Sequence, residues 1–394
     1  MSTTRRSADD GWQPRGPLGG VRVIEVAGLG AGPFCAMVLA DMGADVVRVD
    51  RASEVGSTIR AILGRGKRSV AVDLKTGTGM ELLLRMVERA DVLVEAFRPG
   101  VAERLGFGPE RCLDRNRRLV FARATGWGQD GPLHTSAGHD INYIALSGVL
   151  SLIGRAEEPP VPPLNLVGDF GGGGMVLAFG IVCALLEAQR SGLGQVVDGS
   201  MVDGSALLST MYYELLGTGS WIEERGRNAL DGGAPYYDSY RTADGQWVAI
   251  GAVEGQFFAQ LIEKLGLEEE GLPSQSDTQS WPDLRQRIAE AVARRTREEW
   301  DDIFRGTDGC LTPVLHPSEA WQHPQHRARR TFVDVGGIRQ PAPAPRLSRT
   351  PGRVRGTGPR AGEHVVEVLS DWGFDTAEID AYVNGAAMTP GTGS

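Results

Sequence analysis

The run VRVIEVAGLGAGPFCAMVLADMGADVVRVDR, from Val21 to Arg51, decides the fold. Its opening, Val21–Val26, is β-branched and free of turn residues, which predicts a buried strand. A glycine-rich turn follows, Gly28-Leu29-Gly30-Ala31-Gly32-Pro33, and Pro33–Met42 then carries apolar residues at helical spacing. Asp45–Val49 is a second β-rich run, closed by Asp50. Strand, glycine turn, helix and strand in this order approach a dinucleotide fingerprint, but Pro33 stands where its last glycine belongs. Proline is comfortable in a first helical turn. From these residues alone two readings stay open: a tight turn without a ligand, or a loop beside a nucleotide other than NAD.

The alternation continues outward. Ser69–Leu74, Asp91–Ala96 and Leu119–Ala124 read as strands, and Gly79–Arg89 as an amphipathic helix. Strands alternating with helices imply an α/β fold, Rossmann-like, with a mainly parallel sheet covered on both faces. Right-handed crossovers then gather the loops after the strands along one binding edge. Beyond Trp127 the pattern changes. Asp140–Ile153 and Met175–Arg190 read as helices, the latter stopped by Gly192 and Gly194. Asp231–Val253 reads as a hairpin turning at Asp244-Gly245, with helices expected at Gln256–Leu265, Trp281–Arg294 and Arg297–Phe304. Pro341–Pro359 reads as a linker and Glu363–Tyr382 as a terminal helical piece.

A chain of 394 residues favours two domains. We expect a disordered lead over 1–15, a large domain over 16–200 and a linker helix over 201–230. A smaller α+β domain is expected over 231–335, then a linker and terminal segment over 336–394. The N-terminus has no apolar stretch of the secretory kind. The longest apolar run, Met175 to Leu186, falls short of a bilayer span, so the cytoplasm and no membrane are expected. Four scattered cysteines show neither metal-ligand nor disulfide spacing, and three lie in contexts that suggest small buried thiols. A net charge of −9 argues against nucleic acid as a partner. Only three lysines occur, so the positive charge is nearly all arginine. Arg48, Arg51, Arg65, Arg68, Arg98 and Arg104 fall in or near loops at strand ends, where guanidinium forks suit phosphate oxygens. Each taken singly is equally a solvated surface arginine.

Three polar groups mark the middle of the chain. His139 and Asp140 open an apolar helix, where Asp140 also suits an N-cap and His139 a surface position. Asp169 stands against Gly171-Gly-Gly-Gly174, which reads either as a flexible loop with Asp169 as a helix N-cap or, since such a run is costly in conformational entropy, as a backbone that something approaches closely. Glu254 follows the strand Gln246–Val253; alone it is a surface glutamate, and beside a histidine it orients the imidazole.

At this point the chain resembles the α-methylacyl-CoA racemases of the family III CoA-transferase group. The residues carrying the likeness are Gly16-Pro-Leu-Gly-Gly-Val-Arg-Val-Ile-Glu25, Gly43-Ala-Asp-Val-Val-Arg-Val-Asp-Arg51 and Glu95-Ala-Phe-Arg-Pro-Gly100. Further on come Thr125-Gly-Trp-Gly-Gln129, Ala137-Gly-His-Asp-Ile-Asn-Tyr143, Pro162 to Gly173, and Leu230 to Tyr237. The resemblance implies two domains, an interlocked homodimer, and a terminal segment that crosses back to the large domain. It implies that His139 and Asp169 are the catalytic pair, supported by Glu254, acting on an acyl-CoA. It also implies that Arg51, Arg98 and Arg104 contact CoA, with Leu29, Val72, Leu74, Gly138 and Tyr143. No cofactor or metal is expected, because CoA belongs to the substrate. Sister transferases carry an aspartate nucleophile matching Asp140 and typically lack the preceding histidine, so His139 favours the racemase. Gly174, where close relatives commonly carry serine, is expected to loosen the loop beside Asp169.

Inverting Cα of a thioester requires a proton removed on one face and delivered on the other, which suits two opposed acid/base groups. Each such group contributes roughly 10²–10⁴-fold. The enolate oxygen is expected at the start of the helix opened by Asp140. Phe170, Met175, Met201 and Met211 are either plain core or a pliable surface for the acyl tail. The rival readings are a transferase with Asp140 as nucleophile, a catalytically silent CoA-binding protein, and an NAD-dependent reductase, the last disfavoured by Pro33.

Overall fold

The computed structural model describes residues 16–58, 62–268 and 271–384. The expected lead over 1–15 and the last residues of 336–394 lie outside them. The chain forms two compact units: residues 16–147, 164–208 and 329–384 in the first, and 148–163 with 209–328 in the second.

The first unit is built on β1 (Arg22–Val26), β2 (Asp45–Arg51), β3 (Lys67–Val72), β4 (Val92–Glu95), β5 (Val120–Thr125) and β6 (Val196–Ser200). All pair in parallel, in the order β3-β2-β1-β4-β5-β6. This is the doubly wound arrangement, whose strand order reverses between β1 and β4 and leaves a crevice at their carboxyl ends. Between the strands run α1 (Ala31–Asp41), α2 (Gly77–Val87), α3 (Val101–Leu105) and α4 (Pro109–Arg115). After β5 come α5 (Asp140–Leu146), a π-helical segment (Leu166–Met175), α6 (Val176–Ser191) and, after β6, α7 (Met201–Leu208).

Side chains alternate across the strands, so each face has its own core. Ile24, Val47, Val70, Leu93 and Phe121 pack with Leu82, Leu83 and Met86 of α2. Val23, Val46, Val92, Val94 and Ala122 pack with Cys35 and Leu39 of α1 and Leu177, Ile181 and Ala184 of α6. β6 was not legible as a strand: Asp198 and Gly199 break its β-rich character, and Gly199 is required where Leu177 crosses it.

The second unit contains α8 (Thr210–Gly217), β7 (Tyr237–Arg241), β8 (Trp247–Gly251), α9 (Gly255–Leu265), α10 (Trp281–Val292), α11 (Arg297–Phe304) and β9 (Leu311–Pro313). The three strands are antiparallel in the order β7-β8-β9, and Gly245 makes the hairpin turn at φ 75°. Short helices α12 (Pro317–Ala320) and α13 (Pro324–Arg329) follow. The stretch Gly148–Pro163, read from sequence as part of the large domain, packs here: Arg225 donates to the carbonyls of Ser151 and Arg155, and Arg155 pairs with Asp238.

The remaining chain returns to the first unit through the hairpin β10 (Phe332–Val335) and β11 (Ile338–Pro341), then α14 (Val365–Asp371) and α15 (Thr376–Asn384). Gln340 accepts from Arg65, His364 donates its N–H to the Ser69 carbonyl, and Val368, Leu369 and Trp372 complete the α2-side core.

Two expectations are corrected. The π-helical segment and α6 run on as one helix, Leu166–Ser191, whose 26 residues suffice by length and composition to cross a bilayer. From sequence the helix begins at Met175, because four successive glycines disfavour a helix. The buried thiols are Cys35 and Cys112, whereas Cys183, on the outer face of α6, and Cys310 are exposed.

Candidate active site

The loops after β1, β4 and β5 enclose a cleft of about 420 Å³ at the carboxyl ends of these strands. Leu29 and Gly30 come from the first loop, Phe97 and Arg98 from the second, and Trp127, Gly138, His139 and Tyr143 from the third and the start of α5. Asp169 reaches the same cleft from the π-helical segment. Gly30 holds φ 69°, and a Cβ there would meet the Asp169 Oδ2 at 3.5 Å.

His139 caps α5 and is exposed, its backbone N–H donating to Asn142 Oδ1 at 3.0 Å. Tyr143, one helical turn on, is buried edge-on against Trp127 with ring centroids 4.8 Å apart. Its hydroxyl donates to the Gly138 carbonyl at 2.5 Å, and burial pushes its pKa up. A Cβ on Gly138 would stand 2.7 Å from the Tyr143 ring, so glycine there lets the ring lock the backbone just before His139.

Asp140 is not the cap but the first helical residue, and it is only 5% exposed. Its Oδ2 accepts the Asp169 N–H at 2.6 Å. Burial raises its pKa, the backbone N–H groups of Asp169 and Gly168 oppose that rise, and the Asp169 charge adds to it. Asp169 is partly exposed and accepts from Asn165 Nδ2 at 3.2 Å.

The close approach that the glycine run demands is made by the protein itself. A Cβ on Gly172 would come within 2.6 Å of the Ser205 backbone N, and one on Gly173 within 3.0 Å of the Ala31 Cβ. At Gly174 a Cβ would meet Phe34 at 2.6 Å, so this glycine tightens the packing instead of loosening it. Phe170 stacks on Phe34 at 4.6 Å, pinning the Asp169 turn to α1.

Of the six arginines, three are committed elsewhere. Arg48 pairs with Glu25 and Asp50, Arg65 with Asp41, and Arg68 with Asp45 and Asp371. Arg98 lines the cleft; Arg51 and Arg104 are exposed, Arg51 lying 3.7 Å from Glu54. The Val72 side chain is buried in the α2-side core and Leu74 packs against it, so neither side chain faces the cleft. Glu254 belongs to the second unit, exposed at the N-cap of α9. Sequence reasoning missed the support beneath Arg98. Glu95, fully buried, accepts the Phe97 N–H at 2.6 Å and Arg123 Nε at 2.9 Å, and Arg123 also pairs with Glu103 beside Arg104. Burial raises the Glu95 pKa against the pull of that N–H and of Arg123. The motif Glu95-Ala-Phe-Arg-Pro-Gly100 carried that signal, since an acid closing a buried strand needs a partner.

A doubly wound sheet with a cleft at its switch point, lined by a histidine, an aspartate and an arginine from adjacent loops, is the architecture of the ligand-binding α/β class. The model of CoA-transferase family III matches residues 18–365, and the chain belongs to that family. It is 54% identical over 364 residues to the alpha-methylacyl-CoA racemase of Mus musculus, covering 92% of this chain and 95% of that one. With the alpha-methylacyl-CoA racemase of Homo sapiens it shares 48% identity over 368 residues, again 92% and 95%. The fold is that of a CaiB/BaiF family protein from Brucella suis, with TM-score 0.78 and 24% identity over 91% of this chain and 100% of that one.

Proposed function

We propose that the protein is a racemase interconverting (2R)- and (2S)-2-methylacyl-CoA thioesters by 1,1-proton transfer through an enolate. The observation that carries this reading is the convergence of His139 and Asp169 on one cleft, from separate elements, in a chain so similar to two racemases. One group removes the α-proton from one face and the other returns a proton to the opposite face; in the reverse direction the roles exchange. The enolate oxygen is assigned to the first-turn N–H groups of α5, beside His139. Arg98, with Arg51 and Arg104, takes the CoA phosphates. In this reading the reaction uses no cofactor beyond the CoA its substrate carries, and the active form is a homodimer. The exposed stripe Met175, Phe179, Val182 and Leu186 on the continuous helix Leu166–Ser191 supports the dimer.

Solvent deuterium incorporation at Cα of a chiral 2-methylacyl-CoA tests the reading. His139→Ala and Asp169→Ala are each expected to lose inversion by at least about 10²-fold. Full inversion in either variant would sink the assignment. Hydroxylamine trapping of an acyl-enzyme would favour CoA transfer through Asp140 instead.

A further inference from the structure

Asp140 adjoins His139 in sequence, yet its carboxyl does not line the cleft and is 5% exposed. Its Oδ2 is spent on the Asp169 N–H at 2.6 Å, and Oδ1 has no partner among the described residues. A Cβ on Gly168 would stand 2.7 Å from that same Oδ2, so only glycine at 168 lets the carboxyl close on the turn. Burial raises its pKa above the ordinary aspartate value, and the Asp169 N–H opposes that rise.

We infer that Asp140 is a positioning residue: its carboxyl clamps the Asp169 backbone to the start of α5 and fixes one acid/base group relative to the other. It does not attack the thioester. This rests on the two-base reading of His139 and Asp169. The clamp matters because the bases come from segments separated by a stretch of chain that belongs to the second unit. Among the described residues, this bond joins the residue after one base directly to the backbone of the other. A misplacement of about 1 Å at a reacting group costs on the order of 10²-fold in rate.

The test follows α-hydrogen exchange in D₂O from each enantiomer of a 2-methylacyl-CoA separately, using the full-length enzyme. When one of two opposed bases is lost, the other still exchanges the hydrogen of the enantiomer it faces, with retention. Asp169→Ala identifies the enantiomer served by His139. Asp140→Ala is expected to reproduce that one-sided pattern, with inversion slowed about 100-fold and KM changed by less than about threefold. Gly168→Ala keeps both aspartates in the sequence but pushes the Asp140 carboxyl off the turn, and is expected to give the same pattern. Asp140→Asn retains an oxygen able to accept the Asp169 N–H and is expected to restore exchange from both enantiomers.

Equal loss from both enantiomers in Asp140→Ala and Gly168→Ala would reduce Asp140 to a general structural role and overturn the inference. An Asp140→Asn variant as inactive as Asp140→Ala would overturn it in favour of chemistry at the carboxylate. Should Asp169→Ala itself fail to give one-sided exchange, the two-base reading fails, and the inference falls with it.

Discussion

Adjacent residues at 139 and 140 live in opposite environments: His139 is exposed at the cleft, and Asp140 is buried beneath it. The folded state raises the Asp140 pKa, so between the unfolded and folded values it binds more protons than the unfolded chain. Stability from this group therefore falls as pH rises through that window. The penalty is absent below the ordinary aspartate value of about 3.9 and complete above the raised one. Asparagine removes it while keeping the acceptor. Asp140→Asn is expected to melt above the parent protein at neutral pH and to lose that advantage by about pH 3. Thermal melts across this range check it; a pH-independent difference would assign the effect to packing. His139 and Asp169 stand beside helix-start and glycine signals that raise a ligand as one reading, and the family resemblance is what singles the two residues out. The fate of the arginines was not legible, because it depends on strand register. β1 pairs with β2 so that Glu25 faces Arg48, and no local pattern around Arg48 announces that acid.

The π-helical segment is the element on which the site turns. Its glycines were legible as a demand for close approach, but not the identity of what approaches, since α1 lies far upstream and α7 far downstream in sequence. The contact is between backbones: a Cβ on Gly204 of α7 would overlap the Gly172 carbonyl oxygen. No rotamer change relieves that collision, so the segment carrying Asp169 has to move. Gly204→Ala is expected to cost about 1–3 kcal/mol of stability. It should lower kcat more than it raises KM, because the displaced side chain is the proposed base and not one of the arginines proposed for the CoA phosphates. Melting curves and steady-state kinetics test both halves. Gly217→Ala, where a Cβ meets nothing within 4 Å, serves as the control. The outer α/β layers were easier to read, because each of their strands and helices announces its own period.

Across the whole molecule, the run from Leu166 to Ser191 has one apolar face packed by its own chain and another that is exposed. Leu177, Ile181 and Ala184 are buried against the sheet. Met175, Phe179, Val182 and Leu186 recur at helical spacing on exposed positions, with Phe179 71% exposed. From sequence the helix reads as buried core, because composition does not tell a face covered by its own chain from one covered by another. A stripe of this size on a folded chain marks an interface, and a second copy is the occupant we propose. Covering the stripe on two protomers gains about 25 cal/mol per Å² of apolar surface, which works against the translational and rotational cost of association. A carboxylate at the centre of the stripe reverses the sign, since it enters the interface without a partner. Phe179→Asp is therefore expected to sediment as a monomer at concentrations where the parent sediments as a dimer, with its far-ultraviolet circular dichroism unchanged. Loss of activity in that monomer would show that the cleft depends on the second copy, and full activity would show that it does not. Identical sedimentation of parent and variant would remove α6 from the interface.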